Sequence, residues 1–211
     1  IYRAYKYAKN VTPELNIIKD ICSKNKVSLD VGANLGLFTY FLSRASKKVY
    51  AFEPNPYPLE HLKKIVDKNV EIVPIAIGDE DGSIKLNVPK NRKGWSSNGA
   101  SIKNIELNRG IKYEVIIRKI DSLKIENIGL IKIDVEGHEC QVIEGAKEFL
   151  KKNSCLIQVE LWNKDSFNRF NEIIKHTIYA KEQSSYPSST STRIKAWESA
   201  GELIQKNWLF G

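Results

Sequence analysis

Two segments of this chain have the same layout: Leu29-Asp-Val-Gly-Ala-Asn-Leu-Gly36 and Ile131-Lys-Ile-Asp-Val-Glu-Gly-His-Glu139. Each is a short apolar run that ends in an acidic residue and a glycine and then leads into helical spacing. Two such turns on one edge of a sheet place carboxylates and closely approaching backbone around a single cleft. That arrangement can bring a nucleotide-like ligand to a reacting group. An enzyme is therefore the leading expectation.

The rest of the chain supports a sheet in which both turns share an edge. A helix is expected over residues 13–25, with Thr12 as N-cap and Pro13 in the first turn. Strand 27–31, helix 35–45, strand 48–53, helix 57–68 and strand 70–75 then alternate, which argues for a parallel sheet covered on both faces. Residues 79–120 break the rhythm. Strands at 83–88 and 112–120 flank a segment rich in Asn, Ser, Gly and Lys, so a β insertion around residues 80–120 with a loop is expected. Alternation returns with strand 128–134, helix 139–152, strand 155–161, helix 166–175 and a short strand at 177–180. Gln183 to Thr192 is too polar to join a core, so 181–192 reads as a surface loop.

With 211 residues, 42% of them hydrophobic and 27% charged, the chain suits one domain with a full core. Residues 1–26 form a helical flank, 27–162 the catalytic core and 163–211 a C-terminal flank. Neither a membrane-length apolar run nor a secretory leader is read here, and the expected compartment is the cytoplasm. Cys22, Cys140 and Cys155 lack metal-type spacing and read as reduced thiols. The absence of Met suggests a segment of a longer protein, compatible with one domain of a larger glycan-modifying chain. The net charge of +8 comes mostly from Lys scattered among acids, a solvated surface and not a nucleic-acid groove.

In the first turn, Gly32 removes a Cβ from beneath a ligand and Gly36 permits close packing where the helix begins. Glu53 ends the next strand, where it can accept hydrogen bonds from two ribose hydroxyls. Asn34 and Leu37 stand where a nicotinamide-binding fingerprint has its second and third glycines, and those glycines serve a pyrophosphate. A nucleoside cofactor without phosphate, with Asp30 near its positively charged amino acid end, fits better: S-adenosylmethionine. Pro54 and Asn55 extend the ribose side, Ala76 and Ile77 form an apolar adenine wall, and Asn98 and Ser101 lie in a loop able to close over the ligand.

Asp30 to Ala33, Phe52 to Asn55 and Ile131 to Gly137 together resemble the FkbM-type family of S-adenosylmethionine-dependent methyltransferases. The resemblance covers about residues 27–162, including Ile75 to Asp79 and Ile120 to Leu123. It implies a class I methyltransferase Rossmann-like α/β fold and methyl transfer, commonly to oxygen on sugars or natural products.

That chemistry has physical demands. In-line displacement at a sulfonium methyl needs alignment in a dry cleft, and a sugar hydroxyl needs a base to take its proton. Asp134, Glu136 and His138 crowd the end of one strand. Glu136 or Asp134 is favoured as base because neighbouring carboxylates raise one another's pKa, and His138 is either a base or an exposed turn residue. Asp134 also faces the cofactor. Glu139 is expected to stabilise the helix N-terminus. Glu160, at the end of the next strand, orients the acceptor. A divalent cation held by Asp134, Glu136 and Glu160 is an alternative that is not favoured, and no metal ligand is assigned. Trp95 is a candidate for stacking on a sugar, and Trp162 is assigned to the core. The acceptor expected is a saccharide or another hydroxyl-bearing small molecule. The rivals are an amine or protein acceptor, a nucleic-acid methyltransferase and a non-catalytic Rossmann-like binding domain.

Overall fold

The computed structural model describes residues 13–91, 94–95, 102, 110–161 and 163–182. In chain order, a 3-10 turn (Pro13–Asn16) and α1 (Ile18–Ile21) precede β1 (Val27–Val31), α2 (Leu37–Ala45), β2 (Lys48–Phe52), α3 (Pro56–Ile65) and β3 (Val70–Val73). Next come β4 (Ala76–Ile77), β5 (Gly82–Asn91), β6 (Gly94–Trp95) and β7 (Gly110–Arg118). A 3-10 turn (Ile120–Ser122), β8 (Ile128–Ile133), α4 (Glu139–Glu144), α5 (Lys147–Lys152), β9 (Leu156–Val159) and α6 (Lys164–Glu182) follow.

Five parallel strands form the central sheet in the order β3-β2-β1-β8-β9. Side chains alternate between its faces. On one face Leu29, Val31, Ile131 and Ile133 pack with Val142, Ile143 and Ala146 of the α4–α5 segment and with Phe170 and Ile174 of α6. On the other, Val49 and Leu130 pack with Leu15, Ile18, Phe41 and Leu42, while Ala51 packs with Ala33 and Leu62 of α3. All of β1 is buried, yet it carries Ser28 and Asp30, and β8 carries the buried Lys132. Polar groups in a sheet covered on both sides must find partners there. Ser28 bonds Ser46 at 2.7 Å, and the partners of Asp30 and Lys132 belong to the site described below.

The expected β insertion is a second sheet in the order β4-β7-β5-β6, with β5 and β7 antiparallel. Pro74 ends the expected strand 70–75, and Ala76–Ile77 pairs with β7 instead of extending β3.

Three elements differ from the sequence expectation. Only four residues of the expected N-terminal helix are α-helical; Lys26 N–H bonds to the Ser23 carbonyl in a turn that feeds β1. The helix expected at 139–152 breaks at Gly145, where the Gly78 carbonyl occupies the space a side chain needs. Asp121 then caps the restart, accepting from the Glu148 and Phe149 N–H groups at 3.1 and 2.7 Å. Residues 177–180, expected as a strand, continue α6. Phe170, Ile173, Ile174 and Thr177 recur at helical spacing and are buried, and the Thr177 hydroxyl is satisfied by the Ile173 carbonyl at 2.7 Å.

Candidate active site

The two acidic turns leave adjacent parallel strands in register: Asp30 lies opposite Lys132 and Val31 opposite Ile133. Pairing runs on as Asp134 N–H bonds to the Val31 carbonyl at 3.0 Å. The turns then touch. Gly32 sits at φ 81°, and a Cβ there would overlap the Asp134 carbonyl oxygen, so only glycine fits. In these turns two non-glycine residues also adopt left-handed backbone, Asn34 at φ 48° and Glu136 at φ 54°. Asn tolerates this conformation well; for Glu136 it stores about 1 kcal/mol or more. Gly137 follows at φ 96°, its N–H held by the Glu139 carboxylate at 2.8 Å. Glu139 thus anchors the turn, and the strained Glu136 lines the cleft.

That cleft has an empty volume of ≈ 650 Å³, part of it open to solvent. Gly32, Asn34, Glu53, Pro54, Ala76, Ile77, Asp134, Glu136 and His138 all line it, together with the apolar Val31, Phe52, Ile75, Leu86, Ile102 and Val135. The β insertion supplies Leu86, so the second sheet closes one side. Glu53, 6% exposed, accepts from Asn55 N–H at 2.8 Å and Asn34 N–H at 2.7 Å. Burial pushes its carboxyl up to about 7; those two backbone donors oppose the shift and the Asp30 charge adds to it.

Other expected site residues do not line the cleft. Asp30 is 0% exposed: the Thr39 hydroxyl donates to its Oδ2 at 2.6 Å, and Lys132 Nζ lies 3.4 Å from its Oδ1. It is sealed beneath the first turn. Gly36 is the left-handed N-cap of α2, packed against Leu62 and Ile65. Asn55 is buried as the N-cap of α3, accepting from Tyr57 N–H at 3.1 Å. Glu160 is exposed just past β9, its N–H bonded to the Ile133 carbonyl at 3.1 Å, and is not among the residues that line the cleft. Asn98, Ser101, Trp162 and the side chain of Trp95 fall outside the described residues. Among the described residues, no group of three His, Cys, Asp or Glu is placed to hold a metal ion, and the three cysteines are unbridged.

Lys132 is the residue that sequence reasoning missed. It is 4% exposed, with Nζ 3.4 Å from Asp30 Oδ1, 3.4 Å from Asp134 Oδ2 and 3.4 Å from the Gly32 carbonyl. The ammonium also sits 4.7 Å from the centre of the Phe38 ring. Burial alone would lower its pKa, but the two carboxylates outweigh that and hold it above its ordinary value. The signal was present: a lysine flanked by isoleucines in a doubly covered strand needs a buried counter-charge.

Comparison with known proteins agrees with this geometry. Hexuronic acid methyltransferase AglP of Haloferax volcanii is 25% identical over 144 residues, covering 68% of this chain and 59% of its own length. Methyltransferase sdnD of Sordaria araneosa is 25% identical over 173 residues, covering 65% and 67%. The crystal structure of methyltransferase FkbM from Methylobacillus flagellatus KT superposes with a TM-score of 0.53 at 14% identity, over 72% of this chain and 38% of that one, a likeness of fold. The chain therefore spans about three fifths of the AglP length. Among the described residues no helix is long and apolar enough to cross a membrane. The methyltransferase FkbM domain matches residues 30–186, both acidic turns and the cleft between them included, and this chain belongs to that methyltransferase family.

Proposed function

We propose that this protein is an S-adenosylmethionine-dependent O-methyltransferase whose acceptor is a hydroxyl on a saccharide. The observation that carries this reading is the single cleft into which Glu53, from the end of β2, and the second acidic turn both open, against the glycine turn at Gly32. A nucleoside fits these residues: each Glu53 oxygen receives one backbone N–H and retains acceptor capacity for a ribose hydroxyl. Ala76, Ile77 and Leu86 offer an apolar wall for adenine, and Gly32 lets the first turn pack against the Asp134 backbone at the cleft. The bound cofactor supplies an electrophilic methyl group on a sulfonium.

Asp134 is assigned to the cofactor's amino acid end, because Asp30 is sealed away from the cleft. Glu136 is assigned as the base that takes the acceptor proton. One Asp134 oxygen lies 3.4 Å from the Lys132 ammonium, which commits that carboxylate to an ion pair. His138, at the head of α4, lines the same rim and is the alternative proton acceptor. The saccharide acceptor rests on the relative named a hexuronic acid methyltransferase and on a carboxylate-rich rim suited to many hydroxyl groups.

Calorimetric titration with S-adenosylmethionine and S-adenosylhomocysteine tests the cofactor. Micromolar binding, about −8 kcal/mol, lost in Glu53→Ala, is expected. No binding of either nucleoside to the wild type would overturn the reading. With binding established, methyl transfer to uronic acid and neutral saccharides, lost in Glu136→Gln, tests acceptor and base together.

A further inference from the structure

We propose that Lys132 is a positioning residue of the methyl-transfer site, its ammonium holding the Asp134 carboxylate where it receives the positively charged amino acid end of the cofactor. The inference rests on the cofactor reading above.

A chain of contacts ties α2 to the cleft: the Thr39 hydroxyl fixes Asp30, Asp30 faces Lys132, and Lys132 faces Asp134. Asp30 is wholly buried, whereas the Asp134 side chain is 28% exposed and borders the cleft. Among the described residues, Lys132 is the partner found for the Asp134 carboxylate. One Asp134 oxygen faces Lys132, which orients the carboxylate and leaves the other oxygen for a ligand. Two carboxylates and one ammonium leave the cluster with one excess negative charge, and its open side is the cleft. A cationic ligand group completes it. The α-ammonium of the cofactor has that chemistry; adenosine does not.

The test uses two nucleosides that differ at that end. S-adenosylhomocysteine carries the amino acid, and 5′-methylthioadenosine carries adenosine and sulfur without it. Both are titrated into the wild type and into Asp30→Asn/Lys132→Met. The double substitution removes one charge of each sign, so the net charge beside the cleft is unchanged and a loss reports placement. We expect S-adenosylhomocysteine to lose about tenfold or more in affinity, with methylthioadenosine within about twofold of wild type. Equal losses for both ligands would mean that Lys132 only supports the fold, and an unchanged S-adenosylhomocysteine affinity would mean that Asp134 needs no such support. Either result overturns the proposal. If that variant does not fold, Asp30→Asn/Lys132→Gln is read in the same way, its uncharged amide lacking the ammonium. Failure of the wild type to bind either nucleoside overturns the cofactor reading itself, an outcome distinct from the two above.

Discussion

Asp30 and Glu53 are both buried carboxylates, on neighbouring parallel strands, and the protein treats them in opposite ways. Asp30 receives a hydroxyl and sits beside an ammonium, both drawn from the surrounding core. Glu53 receives two backbone N–H groups, and its carboxyl is pushed up to about 7 by burial. A carboxylate neutralised inside the protein braces the scaffold. One held by turns at the edge of a cleft, with acceptor capacity to spare, is kept for a ligand at a cost to stability. The turn at Gly32 separates the two environments, and its removal is expected to have the largest effect. Gly32→Ala places a Cβ against the Asp134 carbonyl at a positive φ, and backbone on both sides leaves it nowhere to move. Denaturant unfolding should show a loss of more than about 4 kcal/mol. A loss near 1 kcal/mol would mean that the two turns are not locked together.

Lys132→Met strikes the scaffold side alone. It leaves Asp30 buried with no counter-charge, and breaking a buried pair from one side costs about 3–5 kcal/mol. Asp30→Asn/Lys132→Met should recover much of that, since replacing both partners leaves no orphaned charge. Unfolding curves of the two variants measure the difference. If the double variant is no more stable than the single one, Asp30 is not the group that Lys132 neutralises.

Glu53 gives the opposite dependence on pH from most carboxylates. Its folded pKa of about 7 lies above the ordinary 4.5, so the folded state holds the proton more tightly than the unfolded state. Stability from this group is therefore highest below pH 4.5, falls as pH rises towards 7, and the full penalty of roughly 3 kcal/mol is present above that. Glu53→Gln should remove this slope, visible as the wild-type-minus-variant difference in unfolding free energy across that range. The same substitution should weaken nucleoside binding, because an amide is a poorer acceptor than a carboxylate for ribose hydroxyls. A variant that gains stability at pH 8 and loses affinity marks a ligand group. One that loses stability would move Glu53 to the scaffold side with Asp30.

The same distinction shows which parts of the site were legible in the sequence. The parallel sheet and the meeting of the two turns on one edge followed from alternating strands and helices and from acid-and-glycine strand ends, because a parallel sheet brings such ends to one edge. Glu53, Asp134, Glu136 and His138 were read as candidates for the cleft, and they do line it. Asp30 looks identical to them in sequence. What seals it is Lys132, a register partner on a strand a hundred residues away, and no local pattern states which strand lies next to β1. Asn55 likewise read as a ligand contact, and its burial as a helix cap depends on how α3 leaves β2. Gly145, at the break in the expected helix, faces the Gly78 carbonyl where a side chain would sit, again a tertiary neighbour. Local chemistry revealed which residues can bind; pairing across the sheet decides which are already occupied.

Thr39→Val gives the smallest effect and probes the occupied side most cleanly. Valine keeps the shape of threonine and removes the hydroxyl that donates to Asp30 at 2.6 Å. A hydrogen bond to a buried charge is worth about 2 kcal/mol, and Lys132 remains to neutralise the carboxylate. Unfolding should report a loss of that size, with nucleoside affinity within about twofold of wild type, because Thr39 and Asp30 both lie beneath the turn and Asp134 keeps its ammonium. An affinity loss of about tenfold with little change in stability would break the comparison, since it would mean that Asp30 reaches the ligand after all.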